Sequence, residues 1–199
     1  MPMDVSSMLI GNAVLWYSNS LASALPADNL AVGANWPTGW IRAGLTGAPL
    51  KMGYEYDVAD ADVEESLAPV DRAKTKENTM LETTLREIDP RLLPLIWDGV
   101  TVVTPQSSGV AAKSQFNIGG RARLLKRMWG FEGIWVDAAQ VERPHRCIVY
   151  KATASTGAAL EFSKGAWAGV PFKIGALADM NRPYGDRLFT WYRVESDPG

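Results

Sequence analysis

LKMGYEYDVADADVEE, residues 50–65, decides the fold class. Leu50, Met52, Tyr54, Tyr56 and Val58 fall on one parity, and Lys51, Glu55 and Asp57 fall on the other. A period of two places successive side chains on opposite faces of a β-strand. The same alternation recurs over 10–16, with Ile10, Val14 and Trp16 on one face, and over 170–176, with Val170, Phe172, Ile174 and Ala176. It returns over 188–194, where Leu188, Thr190, Tyr192 and Val194 oppose Phe189, Trp191 and Arg193. Residues 114–118, 132–136, 146–154 and 159–163 fit more weakly. Repetition on this scale implies a mainly β, antiparallel protein.

Six acids crowd the opening stretch: Glu55, Asp57, Asp60, Asp62, Glu64 and Glu65. Their phase changes at Val58. Glu55 and Asp57 are odd-numbered, whereas Asp60, Asp62 and Glu64 are even-numbered. A regular strand would send the two sets to opposite faces. A β-bulge at 58–59 would reunite them, so the pattern predicts a bulge there and one continuous acidic face. The next stretch, SLAPVDRAKTKENTM, is polar and carries Arg72, Lys74 and Lys76. An acidic arm followed by a basic return predicts a protruding hairpin over about 58–78. Its charges could meet another copy of the chain, or could pair within the hairpin itself.

The rest of the chain reads as a single domain over 1–199. Residues 18–49, rich in Gly, Pro, Asn and Ala around NWPTGW, read as a long loop, as do residues 99–113. NTMLETTLREI fits both a helical stripe and a strand, and the threonines at 79, 83 and 84 favour the strand. DPRLLPLIWDG predicts a short helix: Asp89 caps it, Pro90 suits its first position, Gly99 ends it, and Pro94 shortens or bends it.

The composition excludes several classes. Of the 199 residues, 47% are hydrophobic and 21% charged, which supports a packed core. Eight Trp imply a large core, a large interface, or both. Twenty bases against 22 acids argue against a general nucleic-acid binder. One Cys rules out an intramolecular disulfide. The N-terminus MPMDVSSMLIGNAVLWY lacks a basic leader region, and no apolar run approaches a membrane span, so a cytoplasmic chain without membrane contact is expected.

Catalytic chemistry finds little support. His145 and Cys147 share a strand face but stand about 6.6 Å apart along it, loose for a dyad. One His and one Cys cannot furnish a zinc site of the usual kind. No phosphate-binding Gly loop or nucleophile elbow is present. DVADADVEE lacks the glycine and spacing of a calcium loop. NIGGRAR reads as a hairpin turn, and Arg121, Arg123, Lys126 and Arg127 as a solvated or counter-charged basic cluster. The residues therefore imply no enzyme, no cofactor and no metal.

The run GYEYDVADADVEESLAPVDRAKTKENTMLETTLREID, residues 53–89, resembles the central segment of siphophage major tail proteins, the subunits of the tail tube. In that family an acidic strand leads through a Val-acid-x-Ser-x-x-Pro-Val-Asp passage to a strand ending Thr-Leu-x-Glu, and a short helix follows. GVPFKIGALADMNRPYGDRLFTWYRV, residues 169–194, is similar to the family's closing strand pair. The likeness spans roughly 8–17, 40–97 and 145–194.

The resemblance implies an antiparallel β-sandwich or barrel-like tail tube fold with a short flanking helix. It implies a homohexameric ring whose sheets join around an inner barrel, and rings that stack into the conduit for genome delivery. Partners would be further copies, the tape measure, terminator and baseplate hub proteins, and double-stranded DNA passing without specific binding. The location would be the virion tail, reached from the host cytoplasm. Glu55, Asp57, Asp60, Asp62 and Glu64 become candidate acids facing the lumen or a neighbouring ring, and Arg72, Lys74 and Lys76 candidate inter-subunit bases. A tail terminator, an injection-tube relative, or a β-barrel ligand binder or enzyme using NWPTGW as a pocket wall are the alternatives.

Overall fold

Ten strands and one helical turn succeed one another among the described residues: β1 (Leu9–Ser18), β2 (Trp40–Arg42), β3 (Lys51–Ala61), β4 (Asp71–Leu85), α1 (Pro94–Trp97), β5 (Val100–Thr104), β6 (Lys113–Asn117), β7 (Arg127–Val136), β8 (Glu142–Ala154), β9 (Val170–Ala176) and β10 (Phe189–Arg193). The structure is a computed structural model that describes residues 9–64, 68–87, 89–120, 122–137, 139–155, 159 and 169–195, with the side chains of β1 from Ala13 onward. The chain is mainly β, and every pairing between strands is antiparallel. The strand expected over 159–163 lies outside the described residues, apart from Ala159.

Eight strands form one sheet in the order β2-β1-β7-β8-β9-β4-β3, with β10 also on β8. The branch has a local cause. Along β8, residues 145–149 pair with β10 and residues 152–154 pair with β9. The partner changes where β8 carries an extra residue against β7, between the Arg127–Ala152 and Trp129–Val149 pairs. A bulge bends its strand and raises the local twist. The β9–β4–β3 arm accordingly turns over the β1–β7–β8 face. Phe172 meets the Trp129 ring with centroids 4.9 Å apart, and Cys147 Sγ donates to Met52 Sδ at 3.5 Å. Leu15, Tyr17, Leu81, Leu85, Phe131, Val149 and Ile174 fill the space between, and Leu95 and Ile96 of α1 join them.

The opposite face of β1, β7 and β8 is also buried. Trp16, Met128, Ile148 and Tyr150 lie there with Trp36 and Trp40. Trp36 comes from the stretch expected to be an open loop, and it stacks on Trp16 with centroids 5.4 Å apart and planes 9° from parallel. Gly130 makes room for it: a Cβ at 130 would stand 2.4 Å from the Trp36 ring. Residues 19–39 are thus a cover over the sheet's second face, and residues 40–42 form strand β2. That corrects the reading of 18–49 as one long loop. NWPTGW supplies Trp36 and Trp40 to a core, so it does not form the wall of a ligand pocket.

A buried ion pair fixes this cover. Arg146 and Glu132 side chains are 0% and 1% exposed, with Arg146 Nε donating to Glu132 Oε2 at 2.8 Å. Glu132 Oε1 accepts from the Gly33 N–H at 2.7 Å. Arg146 donates to the carbonyls of Ala27 and Leu30 at 2.8 and 2.6 Å. Buried charges require such partners, and here three of them are loop backbone groups.

Two further expectations need correction. The α-helix begins at Pro94 instead of Pro90, because a helix from Pro90 would need an N–H at Pro94 to reach the Pro90 carbonyl, whereas at the first position that missing N–H has no helical acceptor. Asp89 caps a preceding turn, accepting from the Arg91 N–H at 2.7 Å, and the left-handed C-cap is Asp98 and not Gly99. Residues 99–113 are not a loop throughout: β5 occupies 100–104 and pairs with β6 in a separate two-stranded sheet. The glycines of NIGGRAR link β6 to β7, which lie in different sheets, so they form no hairpin turn. Both have positive φ, 122° and 77°, which glycine adopts without steric cost.

Candidate assembly surface

β3 and β4 pair over their full shared length, from Lys51–Glu82 to Ala61–Asp71. β4 leaves β9 at Met80, so its residues 71–79 pair with β3 alone. Every described side chain from Gly53 to Glu64 and from Asp71 to Glu77 is exposed. The hairpin therefore departs from the sheet at the Gly53–Met80 pair as a two-stranded ribbon. Nine residues of β3 in it, at about 3.4 Å each, span about 30 Å. Its outer strand, β3, is a sheet edge with no further neighbour among the described residues.

The bulge falls at the expected place but on the other strand. Asp57 pairs with Lys76 and Val58 with Lys74, leaving Thr75 as the extra residue on β4. β3 stays regular, so its parity is kept. Glu55 and Asp57 share one face with Lys76. Asp60 lies on the other, with Tyr54, Tyr56, Val58, Arg72 and Lys74. One continuous acidic face does not form, because correcting the phase required the extra residue on the acidic strand itself. Asp62 and Glu64 follow the end of β3 and are exposed.

Charges on the second face pair within the chain. Arg72 Nε and Nη2 donate to the two carboxylate oxygens of Asp60 at 2.5 and 3.0 Å. That hydrogen bond, with Arg72's charge, holds the Asp60 carboxyl below the usual range despite some desolvation. Lys74 Nζ donates to Tyr54 Oη at 2.9 Å and to Glu77 Oε1 at 3.2 Å, and Tyr54 Oη donates to Glu77 Oε1 at 2.8 Å. Those bonds raise the lysine's pKa and lower the glutamate's, the Tyr54 bond being the larger cause in each. Lys74 also sits 4.7 Å from the Tyr56 ring centroid. Asp60, Arg72 and Lys74, expected among residues that act between subunits, thus have partners inside their own hairpin. Glu55, Asp57, Asp62, Glu64 and Lys76 form no ion pair among the described residues.

The residues weighed for chemistry are separated by packing. Cys147 is buried, and desolvation pushes its thiol up to about 12, which keeps it protonated. His145 rests against Trp191 with centroids 5.2 Å apart, and burial, with Arg193 nearby, lowers its pKa. Arg127 of the basic cluster is buried and donates to Asn19 Oδ1 at 2.9 Å; Arg121 lies outside the described residues. Among the described residues no three His, Cys, Asp or Glu side chains are grouped to hold a metal ion, and no helix is long and apolar enough to cross a membrane.

The sequence reading had β6 as a weak strand over 114–118 but missed β5, and with it a second exposed element, the β5–β6 hairpin. Val100, Val102, Val103, Val110 and Ile118 are 44–64% exposed along it. Lys113 is the only charged residue between Gly99 and Gly120. Phe116 anchors its inner side against Trp97 at 6.2 Å, and Thr101 donates to the Pro90 carbonyl at 2.6 Å. The missing charge was visible in the sequence, had residues 100–104 been read as a strand beside 114–118.

No protein-family model matches the chain, and no curated protein matches it.

Proposed function

We propose that the chain is a virion structural protein: a ring-forming subunit, hexameric by the resemblance, that stacks into a tail tube for genome delivery. The ribbon carries this reading. Beyond Tyr54, whose ring meets Phe189 with centroids 6.2 Å apart, the ribbon is a largely solvated two-stranded sheet, which is marginal at best on its own. Its free β3 edge invites further strands, and a neighbouring copy is the partner that a tube requires. Contacts between unlike patches close into rings when the rotation permits. Stacking then needs only a second surface along the axis.

Glu55, Asp57, Asp62 and Glu64 suit a bore that DNA must traverse. Duplex DNA carries one negative charge per about 1.7 Å. Unpaired carboxylates repel it weakly, so it slides without sticking. Asp60, neutralised by Arg72, contributes little to that repulsion.

The test is negative-stain microscopy of the purified protein, alone and with an assembly initiator from a tail. Hollow rings or tubes of uniform bore are expected. A monomer that persists under every assembly condition, with no tubes in cells making virions, refutes the reading.

A further inference from the structure

We infer that the β5–β6 hairpin of one copy seats in the cleft beside β2 of a second copy. The hairpin is sparsely charged, with Lys113 as its one charge, and it exposes five aliphatic side chains. Interface cores are depleted of charge, and bare edge strands are ordinarily guarded by charges, prolines or bulges. Here Lys113 and Pro105 are the only such guards over two five-residue strands. The outer side presents Val100 and Val102, and Val103 is 56% exposed.

The cleft offers the complement. Its volume is about 940 Å³, and its walls include Ile41, Leu45, Leu50 and Leu92. Ile41 and Leu45 are 46% and 71% exposed. β2, which carries Ile41, is the other end of the main sheet and has no further strand neighbour among the described residues. An apolar hairpin can therefore bury its valines against the wall and lie along an unpaired strand. The rim charges are balanced, Arg42 and Arg91 against Glu87 and Asp89, which disfavours a polyanion as occupant. Glu87 has no ion-pair partner among the described residues, and Lys113 is the hairpin's one charge, so the two are complementary.

Hairpin and cleft are different patches of one chain, so each contact leaves a free hairpin at one end and a free cleft at the other. Association of this kind either closes into a ring or propagates. The contact does not depend on the tube reading, although it would serve a tube either around a ring or between rings.

Two double variants test it by sedimentation velocity. V102E/V103E removes the apolar hairpin, and I41E/L45E removes the cleft wall; all four residues are exposed in the single copy, so the fold should survive. At 1 M salt, where contacts through the charged ribbon are weakened, each variant alone should be monomeric at concentrations where the wild-type chain associates. Mixed in equal amounts, they retain one intact junction between them and should form 1:1 dimers that grow no further. Val102→Cys in one copy and Leu45→Cys in another should cross-link on oxidation, with buried Cys147 silent. Wild-type-like assembly of either variant, a monomeric mixture, or cross-linking of the Val102→Cys copy to itself overturns the inference. Tubes that persist in V102E/V103E would overturn this contact and leave the tube reading intact. Mixed dimers from a chain that never forms tubes would do the reverse.

Discussion

Replacing Glu132 with Gln removes one charge from a pair whose side chains are 0% and 1% exposed. Arg146 would keep the Ala27 and Leu30 carbonyls, but its charge would be buried without a counter-ion. Breaking a buried pair from one side costs about 3–5 kcal/mol. At about 2–4 °C per kcal/mol for a chain of this size, melting should fall by roughly 6–20 °C. The loss should be concentrated in the cover. Glu132 and Arg146 bind three backbone groups of residues 27–33, so protease cleavage there should accelerate before global unfolding. The double variant E132M/R146L separates this role from simple charge burial. Apolar replacement of a buried pair is often neutral or stabilising, yet here it strips the Gly33 N–H and two carbonyls of partners. It should therefore leave the cover protease-sensitive even where melting recovers. A melting change under about 2 °C for E132Q, or unchanged cleavage of 27–33 in both variants, would show that the pair does not hold the cover.

Gly130→Ala should displace the Trp36 ring, which lies 2.4 Å from the new Cβ; overpacking of this kind costs about 1–3 kcal/mol, and a urea midpoint shift with altered tryptophan fluorescence would report it. Cys147, with its thiol pushed up to about 12, should resist alkylation at neutral pH in the folded chain and react at the rate of unfolding, as mass spectrometry can follow. The carboxyls of Asp60 and Glu77 have lowered pKa values in the folded ribbon. Their pairing is fully present above the ordinary carboxylate range and is lost as pH falls through the lowered values. Amide exchange in 54–60 and 72–77 should therefore rise, relative to the core strands, only as pH falls below that range. Reversing Glu55, Asp62 and Glu64 to Lys, with Asp57 kept because it stands opposite Lys76, should leave the melting of the single copy unchanged and impair ring stacking or DNA passage, read by tube length and infectivity.

Alternation made the antiparallel sheet legible wherever one face of a strand was wet. Val170, Phe172 and Ile174 are buried, and Pro171 and Lys173 less so. The signal faded in β7 and β8, because the 19–39 cover buries their second face too. RMWGFEGIWV is buried from Arg127 through Glu132 without interruption, so no parity marks its first half as a strand and only 132–136 gave a weak signal. Nothing local announced the cover, since Glu132 lies 99 residues from Gly33 and Arg146 119 from Ala27. The bulge was legible in position because the acids change phase at Val58. Its strand was not, since a register shift is a property of two strands and the acidic stretch is only one of them. Assigning Asp60, Arg72 and Lys74 to neighbouring copies failed for a related reason: Asp60 and Arg72 are register partners in one hairpin, and Lys74 reaches Glu77 on its own strand and Tyr54 across it.

The two protrusions of the molecule are guarded differently, and that difference bears on how copies meet. The ribbon carries Glu55 and Asp57 on β3 and Lys76 on β4, charges that discourage indiscriminate edge pairing. A partner strand would have to match that pattern, which makes the ribbon selective and its contacts sensitive to salt. The β5–β6 hairpin has one lysine and no acid, so it gains mainly by burying valine side chains, a driving force that salt does not screen. Assembly through both elements should then separate with ionic strength. High salt should weaken contacts made through the ribbon and preserve those made through the hairpin. Small oligomers surviving at 1 M salt should therefore disappear in V102E/V103E and persist when the ribbon acids are reversed. The opposite dependence would assign the salt-resistant contact to the ribbon, and the distinction between a guarded and an unguarded edge would have no bearing on assembly.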